Sequence, residues 1–209
     1  MAAFIKADAT DTRDYIRDGK NAFVCSDFAE MVHNNAEAAG IRAGWVSIKF
    51  RGTEDGHAIN VFETTDRGLV YIDCTNGKDT GDDDDDKSWD TVAYVETGKE
   101  YGILSIDRVL ESGFDYYSLQ YDFYAAFEEK YEDYKNALEL YNEEVDRFNA
   151  EAKTKVFVYG SPEEQKMTLW KNELKARGEM LKNLKNELGN SWYRSEFSSC
   201  VVENVKIHW

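Results

Sequence analysis

The sequence predicts an α+β fold in which a helix packs on an antiparallel sheet and a long antiparallel helical hairpin is added. Three observations predict it. Apolar residues from Cys25 to Ala39 recur at helical spacing. Three extended segments between Gly44 and Cys74 are rich in β-branched and aromatic residues and are separated by polar, glycine-bearing turns. Two heptad seams then occupy the region from about 115 to 190.

The predicted helix takes its face from Cys25, Phe28, Ala29, Val32, Ala36 and Ala39, and Gly40 is its natural stop. Gly44 to Phe50, His57 to Thr64 and Leu69 to Cys74 form an antiparallel meander, with Arg51 to Gly56 as one turn and Asp66-Arg67-Gly68 as the other. Thr91 to Val95 and Glu100 to Ser105 are weaker strand candidates. In the next region Phe127, Tyr131, Tyr134, Leu138, Tyr141, Val145 and Phe148 alternate steps of four and three. The helix they mark is about 54 Å long at its roughly 36 residues. Ser161-Pro162-Glu163-Glu164 is a helix start, with Ser161 as N-cap and Glu164 completing a capping box. The second seam runs through Met167, Trp170, Leu174, Leu181, Leu184 and Leu188, with Arg177 as a break and Gly189 as the end. Val201, Val205, Ile207 and Trp209 share one parity, which marks a closing strand. The expected organisation is a core over 1–112, a coiled-coil-like helical insertion over 113–191 and a C-terminal strand over 192–209 that returns to the core.

The 209 residues carry a formal charge of −16. Phosphate backbones repel such a chain, so nucleic acid is not an expected partner. The N-terminus, Met1 to Lys6, has no long apolar stretch, so neither a signal peptide nor membrane insertion is expected. That leaves a cytoplasmic protein or an excised domain of an exported one. Cys25, Cys74 and Cys200 are the three cysteines, an odd number without a CxxC pair, and suggest neither a disulfide framework nor a zinc site.

Cys25 begins the first helix, where backbone N–H groups and the helix dipole favour a thiolate. His57 opens one strand and Asp73 closes the next, so both stand at the same end of a hairpin. A three-residue turn with Gly68 left-handed pairs Thr65 with Leu69, sets Asp73 opposite Val61 and turns His57 to the same face. A two-residue turn would separate them.

Four elements in order then carry a resemblance: Val24-Cys25-Ser26-Asp27-Phe28-Ala29, Ala39-Gly40-Ile41-Arg42-Ala43-Gly44, Gly56-His57-Ala58 and Val70-Tyr71-Ile72-Asp73-Cys74-Thr75. Together they resemble the transglutaminase-like superfamily over about residues 10 to 105. The resemblance implies a papain-like core with Cys25 as nucleophile, His57 as general base and acid, and Asp73 as the orienting carboxylate. It implies a thiol-dependent acyl transfer on protein or peptide amides, by a cysteine protease or amidase if water is the acceptor and by a transglutaminase if an amine is. The Cys25 backbone N–H is the expected oxyanion donor, with Asn21 as a candidate for the second. The chain departs from the common pattern after the histidine, where Ile59 and Asn60 replace an aromatic residue.

No cofactor is required by this chemistry. Calcium, used by some transglutaminases, has one candidate ligand set in Asp82 to Asp86, but consecutive carboxylates lack the spacing of a calcium loop and read as a solvated run. The alternative to an enzyme is a non-catalytic interaction module, with the tyrosine-rich hairpin binding a protein partner or a second copy of the chain.

Overall fold

A computed structural model describes residues 1–75, 90–111, 116–189 and 197–209. The chain is α+β and divides into two compact units, Met1–Tyr124 with Ser191–Trp209, and Ala125–Asn190.

The first unit opens with a short helix α1 (Ala2–Ile5) and a 3-10 turn at Thr10–Thr12, followed by α2 (Cys25–Ala38). Five strands come next: β1 (Ala43–Phe50), β2 (Gly56–Thr64), β3 (Gly68–Asp73), β4 (Thr91–Tyr94) and β5 (Gly102–Ser105). A short helix α3 (Ile106–Glu111) and a 3-10 turn at Tyr116–Leu119 end the run. The last strand, β6 (Val202–His208), pairs with β1, so the antiparallel sheet has the order β5-β4-β3-β2-β1-β6.

The α2 helix starts where it does because the Val24 N–H donates to the Asp27 carboxylate at 2.8 Å, which makes Cys25 the first helical residue. It ends in paired bonds from the Gly40 N–H to the Glu37 carbonyl and from the Ile41 N–H to the Ala36 carbonyl, both 2.9 Å, with Gly40 at φ 72°. Phe28, Ala29, Val32 and Ala36 are its buried side. Asn60 in β2 donates to the Ala29 carbonyl at 2.8 Å, fixing the helix over that face of the sheet.

Strand pairing assigns the opposite face. Val46 stands across from Ile59 and Ile48 from His57, while β3 adds Tyr71 across from Val61. This face carries a buried cluster that includes Val46, Ile48, Phe50, Ile59, Val61, Tyr101 and Val202. The β2–β3 register pairs Thr64 with Gly68, not Thr65 with Leu69 as the sequence suggested. Gly68 takes the left-handed conformation as the first residue of β3, so the loop sits one residue earlier. The parity is unchanged, and with it the shared face of His57 and Asp73. The parity expected for the last strand is broken. A bulge between Lys49 and Phe50 shifts the register, so Val202, not Val201, faces the core with Val205 and Ile207.

The end of the first unit also holds residues assigned by sequence to the hairpin. Tyr94 donates its hydroxyl to the Ser118 carbonyl at 2.7 Å and stacks on Tyr124 at 5.2 Å between ring centroids. Gly102 lies opposite Tyr94, and a Cβ there would overlap the Tyr124 ring.

The second unit is built from two long helices, α4 (Tyr121–Thr154) and α5 (Pro162–Leu188). With 34 residues, α4 is about 51 Å long. The rings of Phe148 and Trp170 meet edge to face at 5.3 Å, and Glu144 accepts from Trp170 and from Arg177. Arg177 is therefore not the seam residue. Gly178 takes that place, and its missing side chain leaves room for the Tyr141 hydroxyl. Ser161 caps α5 by accepting from the Glu164 N–H at 3.1 Å, but the Glu164 carboxylate accepts from Thr168 and does not close a capping box. Among the described residues no helix is long and apolar enough to cross a membrane.

Candidate active site

Cys25, His57 and Asp73 come together at one end of the sheet, where α2 begins, β2 begins and β3 ends. His57 Nε2 lies 2.7 Å from Asp73 Oδ2, and the two side chains are almost wholly buried, at 2% and 4% exposure. Burial this deep removes water as a competitor for the imidazole, so the carboxylate is its fixed partner.

The other ring nitrogen, Nδ1, is buried and has no hydrogen-bond partner among the described residues. Cys25 interacts electrostatically with this imidazole, although the pair falls short of a formed hydrogen bond. A loose thiol–imidazole contact is the ordinary state of a site without substrate. The tautomer that donates from Nε2 to Asp73 leaves a lone pair on Nδ1, free to take the thiol proton.

The charges follow from this geometry. Burial pushes the Cys25 thiol up, but the neighbouring His57 imidazole with its charge and the Ala58 backbone N–H outweigh it, so the thiol falls below its ordinary value. Asp73 opposes this weakly. Burial alone would depress His57, yet the Asp73 charge and hydrogen bond, aided by Cys25, raise it to about 10. Asp73 is pushed up by burial and pulled further down by His57, by Tyr101 and by the Thr75 N–H, ending below the usual carboxylate range. A lowered thiol beside a raised imidazole is the condition for a thiolate–imidazolium pair near neutral pH.

Two further residues at the site are not among those the sequence singles out. Tyr101 donates its hydroxyl to Asp73 Oδ2 at 2.7 Å, and Phe197 lies against the imidazole with ring centroids 4.7 Å apart. The sequence signal for Tyr101 was its parity with Ile103 and Ser105, which sends it to the His57 face. Phe197 lies outside any strand, and no periodicity marks it.

The first backbone N–H groups of α2 are the available oxyanion donors. Asp27 N–H and Phe28 N–H return to the Val24 carbonyl, whereas those of Cys25 and Ser26 make no hydrogen bond among the described residues. Asn21 is exposed on the turn before α2 and makes no hydrogen bond among the described residues.

The other candidates stand apart. Cys74 is buried beside Asp90, and burial followed by that carboxylate raises its thiol well above the ordinary value. His33 Nδ1 meets the Ala43 carbonyl at 2.8 Å, and His208 packs on Trp45. The Asp82 to Asp86 run lies outside the described residues, and among those described no group of histidine, cysteine and carboxylate side chains is arranged to hold a metal ion. Comparison with known proteins found no family model, no curated protein and no solved structure that matches this chain.

Proposed function

We propose that this chain is a transglutaminase-like thiol enzyme that transfers acyl groups from protein or peptide amides, with Cys25, His57 and Asp73 as a papain-type triad. The observation that carries the reading is the buried 2.7 Å contact between His57 Nε2 and Asp73 Oδ2, with the opposite ring nitrogen unpartnered and coupled to a lowered Cys25 thiol.

In this mechanism the Cys25 thiolate adds to the amide carbonyl, and the carbonyl oxygen becomes an oxyanion against the Cys25 and Ser26 N–H groups. His57 gives its Nδ1 proton to the leaving nitrogen as the C–N bond breaks, leaving a thioester on Cys25. It then takes a proton from the incoming water or amine, whose attack frees the thiol. Asp73 holds the imidazole tautomer and balances its positive charge. The reading is tested by incubating the protein with an activated acyl ester and digesting it for mass spectrometry. The acyl group should appear on Cys25 and leave on addition of hydroxylamine. Acylation spread equally over Cys25 and Cys200, or absent from both, sinks it.

The hairpin supports a second role. Leu140, Leu169 and Met180 are exposed along its helices, and Val156, Val158 and Tyr159 are exposed in the connection between them. Apolar groups so placed favour a protein partner or a second copy of the chain. If Cys25 were unreactive, this binding role would remain as the non-catalytic alternative.

A further inference from the structure

Tyr101 is completely buried, at 0% exposure, and the residue is held from three sides. Its ring stands edge-on to Phe50 at 5.9 Å and to His57 at 5.5 Å between centroids. Its backbone N–H donates to the Cys200 carbonyl at 2.9 Å. A phenylalanine would satisfy both ring contacts, so the hydroxyl is the feature that calls for a role. A buried phenol without a partner is costly, and this one donates to Asp73 Oδ2 at 2.7 Å, the same atom and the same distance as His57 Nε2.

We infer that Tyr101 is a positioning residue of the site, holding Asp73, and through it the ring of His57, by sharing the carboxylate oxygen that the imidazole uses. The inference rests on the thiol reading given above. The rest of the residue is also tied down. Oδ1 accepts from the Thr75 N–H at 2.9 Å, and the Asp73 carbonyl accepts from Thr91 Oγ1 at 3.0 Å. With these bonds and Tyr101 in place, Asp73 has one rotamer and presents one lone-pair direction to His57.

Sharing has an electrostatic consequence that simple packing lacks. Each donor to Oδ2 withdraws charge from it, so the Tyr101 hydroxyl weakens the pull of Asp73 on the imidazolium proton. The groups facing the imidazole are Cys25 from α2, Asp73 from β3 and Tyr101 ahead of β5, with Phe197 as a neutral face. Cys74 stands beyond Asp73 with Asp90 and Asp11 near it, and Tyr124 stands beyond Tyr101.

The test is a nitrogen NMR titration of the His57 ring in the full chain, comparing wild type, Tyr101→Phe and 3-fluorotyrosine placed at position 101. Removing the hydroxyl should raise the His57 midpoint by about half a unit or more, and the more acidic fluorinated hydroxyl should lower it. The fluorinated variant keeps the test open if Tyr101→Phe does not fold. Coincident midpoints among folded proteins would overturn the role of Tyr101. Alkylation of wild-type Cys25 at mildly acidic pH, read in parallel, separates the two claims. If Cys25 is selectively alkylated and the midpoints coincide, only Tyr101 fails. If Cys25 is not, the thiol reading fails and takes this role with it.

Discussion

Thr64 lies directly opposite Gly68 across the β2–β3 hairpin, and this pairing turns His57 and Asp73 to one face of the sheet. Strand side chains alternate, so a loop one residue shorter would send Asp73 to the other face. Gly68 has φ 73°, and a Cβ there would meet nothing within 4 Å. Gly68→Ala should therefore cost only the backbone penalty, about 1 kcal/mol, and leave the His57–Asp73 contact intact. Deleting Arg67 should separate the pair. The far-downfield proton resonance of a buried imidazole–carboxylate hydrogen bond reads this directly, kept in the first variant and lost in the second.

Much of this arrangement was legible in the sequence, for local reasons. The spacing of Phe28, Ala29, Val32 and Ala36 and the stop at Gly40 marked α2, because helix period and a left-handed glycine leave plain traces. The turn chemistry at Gly68 gave the correct parity although the loop itself began one residue earlier. What the sequence did not carry was non-local. Tyr101 reaches Asp73 across 28 residues, and nothing near either residue announces the bond. The bulge at Lys49/Phe50 exchanged Val201 for Val202 because pairing with a neighbouring strand decides it, not the alternation within β6. Gly178 was hidden in the same way, since a glycine adds no hydrophobic mark to a heptad.

Substitutions at the triad should separate chemistry from folding. Cys25 is only half-buried, and Cys25→Ala deletes one sulfur atom, so stability should change by about 1 kcal/mol or less. Acylation of the protein by the activated ester should disappear. Asp73→Asn should fold but lose about three to four orders of magnitude in turnover, because the amide favours the wrong imidazole tautomer. Thermal melts together with acyl-enzyme formation check both. Full acylation in Cys25→Ala would contradict the assignment of the nucleophile.

Stability should follow the charges of the pair. His57 is raised from an ordinary 6.5 to about 10, so its contribution is complete below about 6.5 and fades as pH rises toward 10. Asp73 is depressed below an ordinary 3.8, so its contribution is complete above that value and is lost as pH falls through the lowered one. The difference in melting temperature between wild type and Asp73→Asn should thus be largest between about pH 4 and 6.5. It should shrink on either side. A difference that grows steadily toward pH 10 would mean that the pair does not carry this linkage.

The division of the chain at Tyr124 predicts where it can be cut. Tyr94 holds Ser118 and Tyr124 within the first unit, so a deletion beginning at 115 would remove part of that unit. Replacing residues 125–190 by a short flexible linker should leave a cooperative melt and an alkylatable Cys25. Extending the deletion back to 115 should destabilise the remainder by about 2 kcal/mol or more, through the lost tyrosine stacking and a buried hydroxyl without a partner. Loss of cooperative unfolding in the shorter deletion, whatever the linker length, would show that the helices are required for the first unit to fold.

In the proposed mechanism Cys25 rests as a thiolate beside the imidazolium of His57. This state is tested most directly by competition among Cys25, Cys74 and Cys200 for a limiting amount of iodoacetamide across a pH series, with the modified residue read by mass spectrometry. Cys25 should be alkylated selectively at about pH 6, well below the ordinary thiol range of about 8.5, with Cys74 unmodified until the protein unfolds. Alkylation of Cys25 only at alkaline pH, in step with Cys200, would contradict the thiolate state.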